Sequence, residues 1–363
     1  MHHQPPLISY DTTASKQPTS LITLLPGYTI VAICIESLTV ENLRRFCGKH
    51  QLNLGQNDDA SIDIVTGSNG AGKTTLADSI HLCLTGEFED DSPLVTFDLA
   101  DKLSSNEEVT AKVSTTISDS KLGRRFRFTR QFQITETRRG SVNSVDSLQV
   151  NEEKDGEWVD VASGEAVNTV FPLSAITFCK LDSETPLGFE DTWGGTSWSK
   201  LVEDVGKAGA QQAAARDVDL PGYFANNYDL EDEMLRRIND LLENIDGRYR
   251  VEERQDGLVG RSAKNGSGEE IHGLPAGQQI LISQVTGLVA AEMMPASPPL
   301  IGDTIFARVS REIRKKLFQV VKGGDRQVLL FAIEPELEGL DVEPQFKVEP
   351  DQEDMSSRIV SLD

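Results

Sequence analysis

The spacing of apolar residues changes several times along the chain, and each change marks an element. At 28–38 they alternate with Thr, Ser and Glu in an Ile- and Val-rich run, which predicts a strand. A second extended stretch is expected at 50–54. Residues 61–66 (SIDIVT) predict a short buried strand entering a glycine-rich loop. From 74 to 85 the spacing becomes helical. Residues 108–161 return to β patterning in the segments VTAKVSTTI, RRFRFTRQFQI, SLQVNEE and GEWVDV, separated by Gly, Asp and Asn turns. They predict an antiparallel sheet or hairpin set. A short strand is expected at 175–180. From 182 to about 227 Gly, Ala, Asp and Trp dominate with weak periodicity, which reads as an insert or linker.

The second half is more sharply patterned. Residues 230–245 (LEDEMLRRINDLLENI) predict an amphipathic helix with its acids early, where they favour the helix dipole. A hairpin-like stretch at 249–271, an apolar helix at 278–293 and a strand at 297–303 ending in an acid follow. Then come a basic amphipathic helix at 307–321 and a last buried strand at 328–333. Beyond 343 the chain is acidic, with room for one more hairpin. The first 20 residues are polar and read as a disordered leader. No internal repeat is present. The pattern predicts an α/β fold with a mixed central sheet and an antiparallel β lobe. It divides into a leader (1–28), an N-terminal half (29–185), a short insert (186–228), a C-terminal half (229–345) and an acidic tail (346–363).

The strongest chemical signal lies between the 61–66 strand and the helix after it. Gly67, Ser68, Asn69, Gly70, Ala71, Gly72, Lys73 and Thr74, followed by Thr75, fit G-x-x-x-x-G-K-[ST]. Glycines there let backbone N–H groups turn inward around phosphate oxygens, and the helix N-terminus adds its positive dipole end. Lys73 is placed to reach the β- and γ-phosphates of ATP, and the Thr74 hydroxyl to hold Mg²⁺. Such a site also needs an acid at the end of another strand. Asp303, closing PLIGD, is the candidate metal and catalytic acid, roughly 230 positions after Lys73. That gap implies a sizeable insertion between the two halves of the site.

Charge changes the expected partners. With 58 acidic residues, 35 Lys and Arg and a formal net charge of −23, the chain does not suit a bare nucleic-acid binder. The balance suits a salt-rich cytoplasm, with an ordinary acidic protein as the alternative. Cys34, Cys47, Cys83 and Cys179 form no C-x-x-C pair, and buried thiols in a reducing compartment are expected. The apolar run 21–35 is broken by Pro26 and Gly27, too short for a membrane span and lacking a basic start. A cytoplasmic protein without membrane partner is expected. The densest basic cluster, Lys121, Arg124, Arg125, Arg127, Arg130, Arg138 and Arg139, alternates with Phe126, Phe128 and Phe132. The phenylalanines are expected inward and the arginines outward. A smaller basic patch comprises Arg311, Arg314, Lys315 and Lys316.

Several segments together resemble the ATPase heads of SMC, Rad50 and RecF-like proteins. Residues 35–46 (IESLTVENLRRF) are similar to their opening strand, and GSNGAGKTTL to their N-G-x-G-K-[ST] loop. Residues 274–279 (LPAGQQ) stand where their signature lies, 299–310 (PLIGDTIFARVS) resemble the Walker B and D-loop run, and 327–336 (QVLLFAIEPE) the strand ending in the switch residue. The closest likeness is to the DndD-like branch, where Thr-Pro follows the Walker B acid. The likeness covers roughly 30–185 and 229–340. It implies ATP and Mg²⁺ as ligands and a homodimer with ATP sandwiched head to tail. Gly277 and Gln278 would then face the partner's phosphates, Arg44 would reach nucleotide, Asp182 would hold a metal-bound water and Arg308 would cross the interface. DNA, and a partner nuclease or DNA-modification enzyme, come from resemblance alone.

The departures point to slow hydrolysis. The signature serine is Pro275, the glutamate after the Walker B acid is Thr304, the switch histidine falls on Ile333, and the Q-loop position on Asp182. Losing one polarising or positioning group costs roughly 10²–10³-fold in rate. No sustained heptads or C-x-x-C occupy 184–227, so a compact head without the long coiled coil is expected. Two readings compete: an ATP-driven dimerising ATPase of DNA repair, chromosome maintenance or defence, and a degenerate nucleotide-binding regulator of a partner enzyme. A transporter subunit is disfavoured by the wide loop-to-acid spacing.

Overall fold

A computed structural model describes residues 31–55, 62–87, 94, 108–137, 140–145, 148–170, 172, 175, 179–182, 198–216, 230–254, 257–262, 268–324, 326–351 and 356–362. The expected leader and the residues Arg138 and Arg139 lie outside the described residues.

The N-terminal half opens with β1 (Val31–Leu43), β2 (Phe46–Asn53) and β3 (Ile62–Gly67), followed by helix α1 (Lys73–Thr85). The β-rich middle forms β4 (Glu108–Asp119), β5 (Arg124–Thr137), β6 (Gly140–Val145), β7 (Gln149–Lys154) and β8 (Glu157–Asp160). Helix α2 (Ser163–Val170), strand β9 (Lys180–Asp182), and helices α3 (Trp198–Ala215) and α4 (Leu230–Ile245) follow. The second half holds β10 (Tyr249–Arg254), β11 (Gly257–Ser262), β12 (Gly268–Glu270), helix α5 (Ala276–Glu292), β13 (Ala296–Ser297) and β14 (Leu300–Asp303). Helix α6 (Arg311–Lys322), β15 (Val328–Ala332), the short helix α7 (Glu334–Leu337) and the hairpin β16 (Phe346–Pro350) and β17 (Ser357–Ser361) complete it.

These elements make two large sheets. The mixed sheet has the order β17-β16-β3-β15-β14-β9, parallel except for β17. The other runs β13-β1-β4-β5-β7-β8, with β2 on β1 and β6 on β5, and is antiparallel apart from the β1–β13 pair. A small antiparallel sheet holds β10, β11 and β12. The fold is thus α/β, with a mixed sheet and an antiparallel lobe.

Helix α1 packs between the large sheets, against β3, β14 and β15 on one side and β4 and β5 on the other. This explains why Leu76, Ala77, Ile80, Leu82, Cys83 and Leu84 are buried all round it. Phe126, Phe128 and Phe132 of β5 are fully buried, as their alternation predicts. Each contributes about 1.5–3 kcal/mol of hydrophobic stabilisation.

A buried polar knot joins the sheets. The Gln327 amide oxygen accepts from the Ile35 N–H at 2.7 Å, and its Nε2 donates to the Ile35 carbonyl at 2.9 Å and to Asp63 Oδ2 at 3.0 Å. Gly55 N also donates to the Asp63 carboxylate. Burial pushes the Asp63 pKa upward, while the bonds from Gln327 and Gly55 pull it down.

Several elements differ from the pattern reading. Within the stretch read as weakly periodic, α3 spans 18 residues. Its buried stripe, Trp198, Leu201, Val205, Ala208 and Gln212, keeps strict helical spacing, but its C-terminal part uses small and polar residues. Gln212 is buried because its side-chain oxygen accepts from Ala296 N. The strand expected at 175–180 lies at Lys180–Asp182, while Ala175 and Cys179 are helical. Helix α6 starts at Arg311 because Ser310 caps it, its side chain accepting from Ile313 N, and residues 304–309 form turns. Of the cysteines, all free, Cys83 and Cys179 are buried and Cys34 half-buried, but Cys47 is exposed. Burial pushes the Cys34 and Cys83 thiols up to about 12.

Candidate functional site

Strand β3, interior to the mixed sheet between β16 and β15, delivers the chain into the glycine loop at its C-terminal end. Gly67 is required by close approach: a Cβ there would lie 2.6 Å from the Val348 carbonyl oxygen of β16. Gly70 and Gly72 adopt positive φ, +75° and +107°, which side-chain-bearing residues rarely accept. A Cβ on Gly72 would also come within 3.1 Å of the Phe46 ring. Ala71 is buried, whereas Ser68, Asn69 and Gly70 are exposed. The loop therefore has a packed inner side and an open outer side.

Lys73 begins α1 and folds back over the loop. Its Nζ donates to the Gly67 carbonyl at 2.9 Å and the Ser68 carbonyl at 3.0 Å. Burial lowers its pKa, opposed by the charges of Asp303 and Glu336. Thr74 is exposed and Thr75 buried. The Thr74 side chain lies beside the Asp303 carboxylate and favours its charged form.

Asp303 closes β14 and is 4% exposed. Strand order brings it to the loop: β14 is second from β3, with β15 between them. Asp182 closes β9 and is the register partner of Asp303. Burial, chiefly, pushes the Asp303 carboxyl up to about 6, with the Asp78 and Asp182 charges adding to it and Thr74 and Lys180 opposing. Lys180 Nζ lies 2.6 Å from Asp78 Oδ1, which offsets part of this negative charge. Asp303 Oδ1 is buried without a hydrogen-bond partner.

That orphaned oxygen suits a cation. The donors that meet here are a hydroxyl and carboxylates, hard oxygen ligands of the kind Mg²⁺ takes while keeping several waters. Among the described residues no group of three His, Cys, Asp or Glu side chains is arranged to hold a metal by itself. The geometry fits an ion shared with a bound phosphate.

The remaining expected residues fall into two places. Arg44 occupies the tight β1–β2 turn at φ +48°, its N–H donating to the Leu94 carbonyl at 2.8 Å. That turn abuts the loop, since the neighbouring Phe46 packs on Gly72. Gly277 and Gln278 instead lie in the first turn of α5, which Pro275 caps. A Cβ on Gly277 would come 2.8 Å from the Arg308 carbonyl, so the signature-like turn rests on the 304–309 segment of its own chain. Gln284 Nε2 fixes that segment by donating to the Ile305 carbonyl.

Glu336 was not singled out by any motif. It is 1% exposed, and its carboxylate accepts from Phe306 N and Ile333 N, both at 2.9 Å. It ties the turn after Asp303 to the end of β15. The E-P-E run after a buried strand was its only sequence trace. Thr304, the residue after Asp303, holds φ +50°, a strained setting for a β-branched side chain.

Among its described residues, the arginines of the basic cluster do not form an open cationic face. Arg124 pairs with Glu152 at 2.5 Å, Arg125 bridges Glu36 and Glu153, and Arg127 stacks on Trp158 at 4.0 Å. Arg130, expected outward, is buried, donating to the Cys83 and Leu84 carbonyls at the C-terminus of α1. It shares a face with the phenylalanines because its position has their parity. Arg314 likewise turns inward, donating to the Pro335 and Glu336 carbonyls, whereas Arg308, Arg311, Lys315 and Lys316 are exposed.

A strand–glycine-loop–helix unit, with a buried acid two strands away and beside the loop threonine, defines a P-loop nucleotide-binding ATPase fold. Comparisons narrow the class. A family model described as an AAA domain matches residues 37–185. The SMC head domain from Thermotoga maritima is 12% identical, covering 91% of this chain and 99% of that one, with a TM-score of 0.50. The SmcHead bound to the C-winged helix domain of ScpA is 14% identical over 90% of this chain and 98% of that one, with a TM-score of 0.58. A Smc head domain with an extended coiled coil, bound to the C-terminal domain of ScpA and derived from Pyrococcus furiosus, is 12% identical. It covers 91% of this chain and 96% of that one, with a TM-score of 0.57. No curated protein matches the sequence. The chain has the fold of an SMC-like ABC-type ATPase head. Among the described residues no helix is long and apolar enough to cross a membrane.

Proposed function

We propose that this chain is a cytoplasmic ATP-binding head that dimerises on Mg-ATP and hydrolyses it slowly. The observation that carries the reading is the buried Asp303 carboxylate beside Thr74 and Lys73 of the glycine loop, its Oδ1 without a hydrogen-bond partner. Residues 68–75 would wrap the phosphates, with Lys73 turning from the Gly67 and Ser68 carbonyls to phosphate oxygens. Thr74, Asp303 and Asp182 would hold Mg²⁺, which supplies charge neutralisation to the β- and γ-phosphates when bound. Arg44 would approach the nucleotide from the β1–β2 turn, and Gly277 and Gln278 would meet it from a second copy.

Slow turnover follows from two side chains. Thr304 offers no carboxylate to orient a water, and Ile333 offers no donor. Glu336 does not replace the missing base, because both its oxygens are committed to backbone N–H groups. The same observation favours a second reading, in which ATP is a structural clamp and the chain is a catalytically degenerate regulator of a partner nuclease or DNA-modification enzyme. A place in DNA repair, chromosome maintenance or DNA-modification defence is proposed from the resemblance to SMC-like heads.

Light scattering in molar KCl, without and with Mg-ATP, tests the core claim. Wild-type chain is expected to shift from monomer to dimer with ATP, and Lys73→Ala to remain monomeric. A monomer that binds ATP without dimerising would leave the regulatory reading and remove the sandwich.

A further inference from the structure

The C-terminal hairpin brings the loop a cation that none of the recognised motifs contains. Strand β16 lies parallel to β3, with Lys347 in register with Thr66 and Val348 with Gly67. The pairing is tight enough to demand glycine at position 67. A groove of 540 Å³ opens between this strand, the exposed Ser68 and Asn69, and residues 333–335. Among its described lining residues, Lys347 is the cation, and Glu334 and Glu349 are the acids. Lys347 Nζ lies 3.5 Å from Glu334 Oε1, with 38% of the lysine side chain and 70% of the glutamate side chain exposed. Glu349 is engaged by Arg358 at 2.9 Å.

The groove joins two places that matter for a nucleotide. One is the outer side of the glycine loop. The other is the end of β15, where Ile333 offers no donor to a phosphate. An exposed ion pair at this separation is weak and readily exchanged. A phosphate carries more charge than one carboxylate and offers several acceptor oxygens, so it competes well for the same ammonium.

We infer that Lys347 is a phosphate-binding residue: when ATP occupies the loop, its ammonium leaves Glu334 and contacts the terminal phosphate. The inference rests on the nucleotide reading above. It gives the hairpin a part in sensing the third phosphate, which ADP lacks. Lys347 thereby supplies from β16 the charge that Ile333 cannot supply from β15.

Calorimetric titration of the full chain with Mg-ATPγS and Mg-ADP tests this. Lys347→Met is expected to weaken ATPγS binding roughly tenfold and to change ADP binding by less than about twofold. Lys347→Arg keeps the charge and is expected to retain most of the preference for ATPγS. Glu334→Gln removes the competing carboxylate and is expected to tighten ATPγS modestly. Lys73→Ala is expected to abolish both. An unchanged ratio of the two affinities in Lys347→Met overturns the inference, whether both nucleotides weaken together or neither does. Wild-type chain that binds neither nucleotide overturns the nucleotide reading, and this inference with it.

Discussion

Asp303 and Asp182 stand in register at the ends of adjacent parallel strands, so two carboxylates close β14 and β9 side by side. Like charges in a buried place cannot both ionise without cost. Burial, with Asp78 and Asp182 adding to it, pushes the Asp303 carboxyl from 3.8 up to about 6.

The folded state therefore takes up a proton at a higher pH than the unfolded chain. Stability from this group falls as pH rises from about 4 to about 6, and the loss is complete above that. Asp303→Asn is expected to stabilise the chain at pH 7.5 without Mg-ATP, by at most about 3 kcal/mol. Its advantage is expected to shrink toward pH 4. Urea unfolding of both proteins across this range measures it; an Asn variant less stable than wild type at pH 7.5 would count against the buried, ionised carboxylate.

Gln327 serves Ile35 and Asp63, residues separated from it by 292 and 264 positions. Gln327→Leu strands a backbone N–H, a carbonyl and part of a carboxylate inside the protein. We expect a loss of roughly 2–4 kcal/mol, since each unmet buried group costs about 1–3 kcal/mol. The urea midpoint reads the effect. An unchanged midpoint would show that the knot is dispensable.

Arg216 and Asp119 form an ion pair with side chains 1% and 0% exposed, linking the end of α3 to β4. Asp119 also accepts from Lys121 N and Leu122 N. Arg216→Met leaves that acid buried without its counter-ion, at an expected cost of about 3–5 kcal/mol. Pairing it with Asp119→Asn is expected to recover part of the loss. The double-mutant cycle decides: strict additivity would mean that the pair is not coupled.

In the proposed ATPase, Thr304 would stand where a carboxylate orients the attacking water. Thr304→Glu is expected to raise ATP turnover about 10²-fold with little change in nucleotide affinity. Phosphate release under single-turnover conditions reads the chemical step. Faster turnover would identify the missing carboxylate as the limit; an unchanged rate with intact binding would place the limit elsewhere.

Local chemistry alone determined the strand–loop–helix unit. Gly70 and Gly72 take φ values few other residues accept, and Lys73 and Thr74 are set by their spacing from them, so the conformation of the glycine loop was legible. Asp303 was legible because a short apolar strand ended in an acid. Helix α4 was legible because its apolar stripe is strong. What the sequence left open depends on partners distant in the chain. Helix α3 turns to Gly, Ala and Gln in its C-terminal part, where Gln212 and the neighbouring Arg216 reach Ala296 and Asp119. Arg130 reads as surface until the C-terminus of α1 arrives to accept its hydrogen bonds. Lys347 and Glu336 carry no motif. Parallel pairing of β16 with β3 sets the lysine beside the loop, and two backbone N–H groups from separate segments fix the glutamate. Periodicity records which side of an element is buried; only the assembled sheets decide which charges meet there.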